Sequence, residues 1–307
     1  MKPTYPLKQL YFYLTAGCNL ACRHCWIAPT FQAENRSFPE LSVDLFHSII
    51  EQAKSLGLSA VKLTGGEPLL HARILELIRG IREENLVLTL ETNGVLCTPE
   101  LAREISAGKG PMEPLVRLAE RLGAGSVKFN VIQPTARGEK MHQAGEALPI
   151  RELVELGDWV ENTLSAATNL PVCFSHPAAF RPLGRMFGKQ GDGCSLCEIL
   201  GILGVLADGS YALCGIGETV PELVFGHAAR DRLEEVWRGN PVLQDLREGL
   251  PHRFEGICGQ CLMKRVCLGS CVAQNYYRSK SLWAGFWYCE EAHQEGLFPE
   301  TRLQKGE

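Results

Sequence analysis

Long apolar runs are missing from this 307-residue chain. No stretch approaches the roughly 20 consecutive apolar residues that span a bilayer, so a helical membrane protein is excluded. The first nine residues lack the apolar core of a secretory signal. Excess positive charge is missing too. Lys and Arg number 31 against 35 Asp and Glu, a formal charge of −4, so no global basic field invites nucleic acid. There are no internal repeats or low-complexity tracts. These absences point to the cytoplasm, where thiols stay reduced. There, 13 cysteines read better as ligands than as disulfides.

The length suffices for one barrel-sized domain and a smaller one. Short apolar strands alternate with amphipathic helices in the first part, the pattern of a parallel α/β sheet or barrel. Strands are expected at 10–15, 60–64, 86–92, 127–132 and 172–175. Helices are expected at 43–56, 71–84 and 150–166, the first with Ser42 as N-cap and Gly57 as stop. Side chains alternate faces along a strand. Tyr11, Tyr13 and Thr15 therefore share a face, as do Lys62 and Thr64, Thr89 and Glu91, Lys128 and Asn130, and Cys173 and Ser175. Their neighbours, such as Phe12, Val61, Leu63, Leu88 and Phe129, are apolar. Helices should cover the apolar face and leave the polar one to line a lumen. Beyond about Gly184 the texture becomes Gly- and Cys-rich, with a hairpin through Asp208-Gly209 and one short helix at 230–238. The domains expected are 1–185 and 186–307.

Three cysteines, Cys18, Cys22 and Cys25, stand at C-x₃-C-x₂-C spacing just after the first strand, and Trp26 follows them. Cubane iron–sulfur clusters usually take four thiolates. This loop supplies three with no nearby fourth, which leaves one iron position for a substrate or co-substrate. A zinc loop is the other chemistry such a spacing allows. Thr64-Gly65-Gly66-Glu67-Pro68 ends the second strand, where glycines permit close backbone approach to a ligand. Glu91-Thr92-Asn93-Gly94 ends the third in the same way. In parallel barrels, ligands collect at the C-terminal strand ends, so three motifs are expected on one rim. His176, at the end of the last legible strand, is the candidate catalytic acid–base residue.

On these residues the chain resembles the radical S-adenosylmethionine (SAM) superfamily. The resemblance implies that Cys18, Cys22 and Cys25 hold a [4Fe–4S] cluster whose open iron chelates SAM. It places Trp26 near the adenine and Gly65 and Gly66 at the methionyl amine. Glu67, Glu91 and Asn130 become further cofactor contacts. It also implies reductive cleavage of SAM to methionine and a 5′-deoxyadenosyl radical that abstracts hydrogen from a substrate. The implied fold is α/β, a partial (β/α) barrel followed by a small Cys-rich domain. Only five barrel strands are legible. Residues 99–106 and 112–122 read as helix, so one βα unit of the family barrel is expected to be missing.

The C-terminal cysteines resemble the SPASM extension of peptide-modifying relatives. Eleven residues separate Cys197 from Gly209 and four more precede Cys214; Cys258-x₂-Cys261-x₅-Cys267-x₃-Cys271 and Cys289 follow. By that resemblance Cys194, Cys197, Cys214 and Cys271 hold one auxiliary [4Fe–4S] cluster, and Cys258, Cys261, Cys267 and Cys289 another. Three clusters and SAM are thus implied. Two Cys₄ zinc sites would use the same eight residues. The opening 11–29 looks most like the SynChlorMet-cassette branch, related to spliceases. The implied substrate is a ribosomally made precursor peptide, crosslinked, oxidised or trimmed. A low-potential donor of flavodoxin or ferredoxin type would supply electrons. About ten residues precede the first strand, too few for a folded module, so a separate leader-recognition protein is expected. A catalytically silent iron–sulfur carrier or scaffold and a zinc-binding interaction module are the rival readings.

Overall fold

The computed structural model describes residues 5–27, 29–31, 38–93, 95, 116–117, 119–120, 124–187 and 197–304. Most of the expected helical pieces at 99–106 and 112–122 lie outside that set, as do Gly94, Cys97 and Cys194. The chain forms two compact units interleaved along the sequence. The first comprises 1–96, 134–140 and 198–249, and the second 97–133, 141–197 and 250–307.

In the first unit, β1 (Gln9–Tyr13) leads through the cysteine loop to helix α1 (Val43–Lys54). The Ser42 hydroxyl caps α1 by accepting the Leu45 N–H at 3.2 Å, a contact worth about 1 kcal/mol. Phe46, Ile49, Ile50 and Ala53 form its buried stripe. Phe46 packs on Phe12 with ring centroids 4.5 Å apart, so the apolar face of β1 lies under α1. Burying each such side chain contributes about 1.5–3 kcal/mol. Then come β2 (Ala60–Thr64), α2 (Ile74–Glu83) and β3 (Val87–Leu90).

In the second unit, β4 (Val127–Phe129) pairs in parallel with β5 (Val172–Phe174). Between them in sequence lie α3 (Ala136–Gln143), whose residues 136–140 belong to the first unit, and α4 (Ile150–Trp159). Helix α4 runs on as a π turn, Val160–Leu164. In the first unit β1 pairs in parallel with β2, and β2 with β3.

The C-terminal hairpin extends the first sheet. Strands β6 (Ile202–Val205), β7 (Ser210–Ala212) and β8 (Val224–His227) complete a six-stranded mixed sheet, in the order β8-β7-β6-β1-β2-β3. The hairpin turns as its sequence requires, with Gly209 at φ 92° and the Asp208 carboxylate accepting the Ser210 N–H at 2.8 Å. Two helices follow, α5 (Leu233–Gly239) and α6 (Pro241–Gly249). The rest of the second unit adds the short α7 (Gly256–Gln260), α8 (Val272–Ser279) and α9 (Trp287–Gln294). No described helix is long and apolar enough to cross a membrane.

Candidate cluster sites and their setting

Parallel register sets out the polar face. Tyr11 of β1 lies opposite Lys62 of β2, which lies opposite Thr89 of β3. The Lys62 ammonium sits over the Tyr11 ring, 4.6 Å from its centroid, and pairs with the Glu91 carboxylate at 2.7 Å. Leu10, Phe12, Val61 and Leu63 point the other way and are fully buried. The expected division into a polar and an apolar face holds on these strands.

The three expected motifs meet at one end of this sheet. Gly66 N–H donates to the Thr15 carbonyl at 2.8 Å and Glu67 N–H to that of Gly17 at 2.9 Å, tying the glycine turn to the residues before Cys18. Gly65 has φ 125°, and a Cβ added to Gly66 would stand 1.9 Å from the Gly17 oxygen. Only glycine fits there. Asn93 reaches across from the third strand end, its side-chain amide donating to Asn19 Oδ1 at 2.8 Å and to Cys18 Sγ at 3.8 Å.

Glu67 is held by the protein itself. It is fully buried, and its carboxylate accepts three protein donors: Leu69 N–H at 3.0 Å, the Thr92 hydroxyl at 2.6 Å and Asn93 N–H at 2.8 Å. Its oxygens are engaged by the protein, and it braces two strand ends. Glu91 keeps an exposed carboxylate, although Lys62 shares it. Trp26 is 37 % exposed beside the loop, open to a ligand's ring. Asn130 is exposed and belongs to the second unit.

One residue of this site had no sequence signal. Arg137, at the start of α3, clamps the loop from behind. Its backbone N–H donates to the Cys25 carbonyl at 3.1 Å, and its guanidinium to those of Cys22 at 3.4 Å and Pro29 at 2.7 Å. It stands more than a hundred residues from the cysteines it orders, and no motif marks it.

His176, the candidate acid–base residue, is buried. Its side chain is 1 % exposed, with Nε2 3.2 Å from Glu161 Oε1, while Arg185 approaches the other carboxylate oxygen at 2.7 Å. Burial chiefly pulls its pKa below the ordinary value, although Glu161 opposes that shift. Cys173, placed by strand parity on the polar face with Ser175, is buried and disulfide-bonded.

In the second unit Cys258, Cys261, Cys267 and Cys289 line one small cavity of about 10 Å³, with Pro177 and Phe298 among its walls. All four are free and buried. Burial, and then the mutual repulsion of their charges, pushes the Cys258 thiol up to about 12 and Cys289 well above its usual value. Backbone N–H groups already face the sulfurs, from Phe286 to Cys258 and from Met263 to Cys261, each at 3.3 Å. Ala178 and Ser270 donate likewise to Cys267. Such donors stabilise thiolates bound to iron. Among the described residues no three Cys, His, Asp or Glu side chains converge closely enough to grip a single ion. Four cysteines round one cavity are the donor set that either a cubane or a tetrahedral zinc would take. Of the other expected set, Cys214 lies in the first unit and Cys197 and Cys271 in the second.

Family comparison agrees with this chemistry. The radical SAM superfamily model matches residues 12–114, and that of SPASM, an iron–sulfur cluster-binding domain, matches 194–262. The chain belongs to the radical SAM superfamily and carries a SPASM domain. It is 25 % identical, over 329 aligned positions, to the AdoMet-dependent heme synthase of Methanosarcina barkeri, covering 86 % of this chain and 90 % of that one. It is 23 % identical to the mycofactocin maturase MftC of Mycobacterium tuberculosis, covering 95 % and 85 %. Among solved structures, Streptococcus suis SuiB bound to precursor peptide SuiA superposes with a TM-score of 0.65 at 16 % identity, covering 94 % of this chain and 76 % of that one. At that identity the likeness concerns the fold. This radical SAM chain thus has the superfamily's partial barrel and a Cys-rich SPASM region, with SAM and iron–sulfur clusters as cofactors.

Proposed function

We propose that this radical SAM protein modifies a ribosomally made peptide, forming a crosslink, oxidising a residue or excising a fragment. The observation carrying the enzymatic reading is the meeting of the three-cysteine loop with the Gly65-Gly66 turn and the Asn93 strand end. Cys18, Cys22 and Cys25 would hold one [4Fe–4S] cluster. Cys194, Cys197, Cys214 and Cys271 would hold a second, and Cys258, Cys261, Cys267 and Cys289 a third. When bound, the first cluster and SAM supply reductive cleavage to a 5′-deoxyadenosyl radical able to take hydrogen from an inert C–H bond.

The protein's own contribution is to bind, orient and enclose. Gly65 and Gly66 bring backbone close enough to hold the methionyl amine. Trp26 offers a ring face for the adenine. Arg137 and Asn93 fix the loop that bears the cysteines, and Glu67 locks the two strand ends together. Lys62 holds the Glu91 carboxylate at the polar face, ready to orient a cationic or hydroxyl-bearing ligand. A low-potential flavodoxin- or ferredoxin-type donor would deliver the electron.

Peptide maturation is supported by the likeness to MftC and to the fold of peptide-bound SuiB. A tetrapyrrole substrate is the second reading, favoured by the heme synthase relative. Anaerobically reconstituted protein, given SAM and strong reductant, should form 5′-deoxyadenosine faster with the true substrate class. A precursor peptide that raises turnover and changes mass supports the first reading. Stimulation by a porphyrin alone would overturn it.

A further inference from the structure

The proposed ligand sets leave one contact in the first unit unused. Tyr13, at the end of β1, is 2 % exposed. Its ring packs in a cluster with Ile27, Leu206 and Ala212, and Cys25 and Tyr11 rest against that same cluster. On the ring's other side runs the backbone of Cys214 and Gly215. A Cβ added to Gly215 would stand 2.3 Å from the ring and 2.5 Å from its oxygen. Gly215 N–H donates to the Tyr13 hydroxyl. Beneath Cys214 lies Gly204 of β6, the register partner of Tyr11. A Cβ there would meet the Cys214 Cα at 2.8 Å. The backbone at Cys214 is therefore held in a slot, with bare glycine on the sheet below and an aromatic side chain alongside.

We propose that Tyr13 is a positioning residue for Cys214, one aromatic wall that fixes this SPASM cysteine while abutting the loop of the SAM-cluster cysteines. The idea rests on the reading of Cys214 as a cluster ligand. The tyrosine oxygen accepts from the N–H of Gly215, the residue that follows Cys214. Hydrogen bonds near ligating sulfurs set cluster potentials. Removing the hydroxyl should make one cluster harder to reduce while the ring keeps the backbone in place.

The test compares full-length wild type, Tyr13→Phe, Gly215→Ala and Cys214→Ala after anaerobic reconstitution. Readouts are iron per chain, the electron paramagnetic resonance (EPR) spectrum of the reduced protein, and the midpoint potential of each cluster. Cys214→Ala should lose one cluster's iron, about four per chain, and identify its signal. Tyr13→Phe should keep its iron yet shift that same signal and move its potential to a more negative value. Gly215→Ala, which drives a methyl group into an intact Tyr13 ring, should disturb that signal too and covers the case of a poorly folding Tyr13→Phe. Spectra and potentials of both variants matching wild type would refute the role of Tyr13 alone. Full iron content in Cys214→Ala would remove the cluster reading at Cys214, and the proposal with it.

Discussion

Replacing Glu67 by Gln tests whether this buried carboxylate braces the site. Its Oε1 accepts from Leu69 N–H and the Thr92 hydroxyl, and its Oε2 from Asn93 N–H. Gln can keep the first pair, weakened by loss of charge. At the second oxygen it presents an N–H₂ group to the Asn93 N–H, donor against donor. One charge-assisted bond is lost outright, at about 1.5–3 kcal/mol. A loss of about 2 kcal/mol corresponds to a fall of about 4–8 °C in the thermal midpoint of a large domain. If the damage stays local, amide exchange at Leu69 and Asn93 should quicken about thirtyfold. SAM affinity should fall with it, because Asn93 also holds Asn19 and Cys18. Thr92→Val, which removes one donor, should show a smaller loss in the same direction. A Glu67→Gln protein that melts within about 1 °C of wild type and exchanges these amides normally would refute the bracing argument.

Gly66→Ala would place a methyl group on the Gly17 carbonyl and should abolish SAM binding, measured by equilibrium dialysis, while the SPASM iron content survives. Arg137→Met should weaken SAM binding about tenfold, since it deletes guanidinium bonds to two loop carbonyls worth about 1.5 kcal/mol together. Changing Cys258 and Cys289 to Ser should remove about four iron per chain without adding zinc, as read by elemental analysis. His176 gives a pH signature. Its folded pKa is lowered below about 6.5, so the unfolded chain binds the extra proton first. The stability it contributes is present above that value and is lost as pH falls toward the lowered one. The thermal midpoint should drop as pH falls below about 6.5, and His176→Gln should flatten that slope. Parallel slopes would contradict the assignment.

Local chemistry was legible where one motif sufficed. β2 runs over the residues expected, Ser42 caps α1, and Asp208-Gly209 makes its turn. The two-faced pattern of β1 and β2 follows from parity alone. Non-local choices were not legible. Nothing in Ile202–Val205 announces that it pairs in parallel with β1, because strand partners are selected by packing across nearly two hundred residues. Helix α3 was missed because its residues are almost all polar and only Gly138 among them is buried, so it has no apolar stripe to read. The short helices around Cys258 to Cys289 carry too few turns for periodicity, and their spacing is set by the thiols. Glu67 reads from its motif as a ligand contact. Its bracing role emerges only when Thr92 and Asn93 arrive from another strand.

The most direct measurement is 5′-deoxyadenosine formed from SAM by anaerobically reconstituted, reduced protein, with iron counted on the same samples. Wild type should release it. Single Ala variants at Cys18, Cys22 and Cys25 should release none and lack about four iron per chain, with the SPASM iron retained. Product formation that survives those changes, or wild type that binds only zinc, would contradict the account.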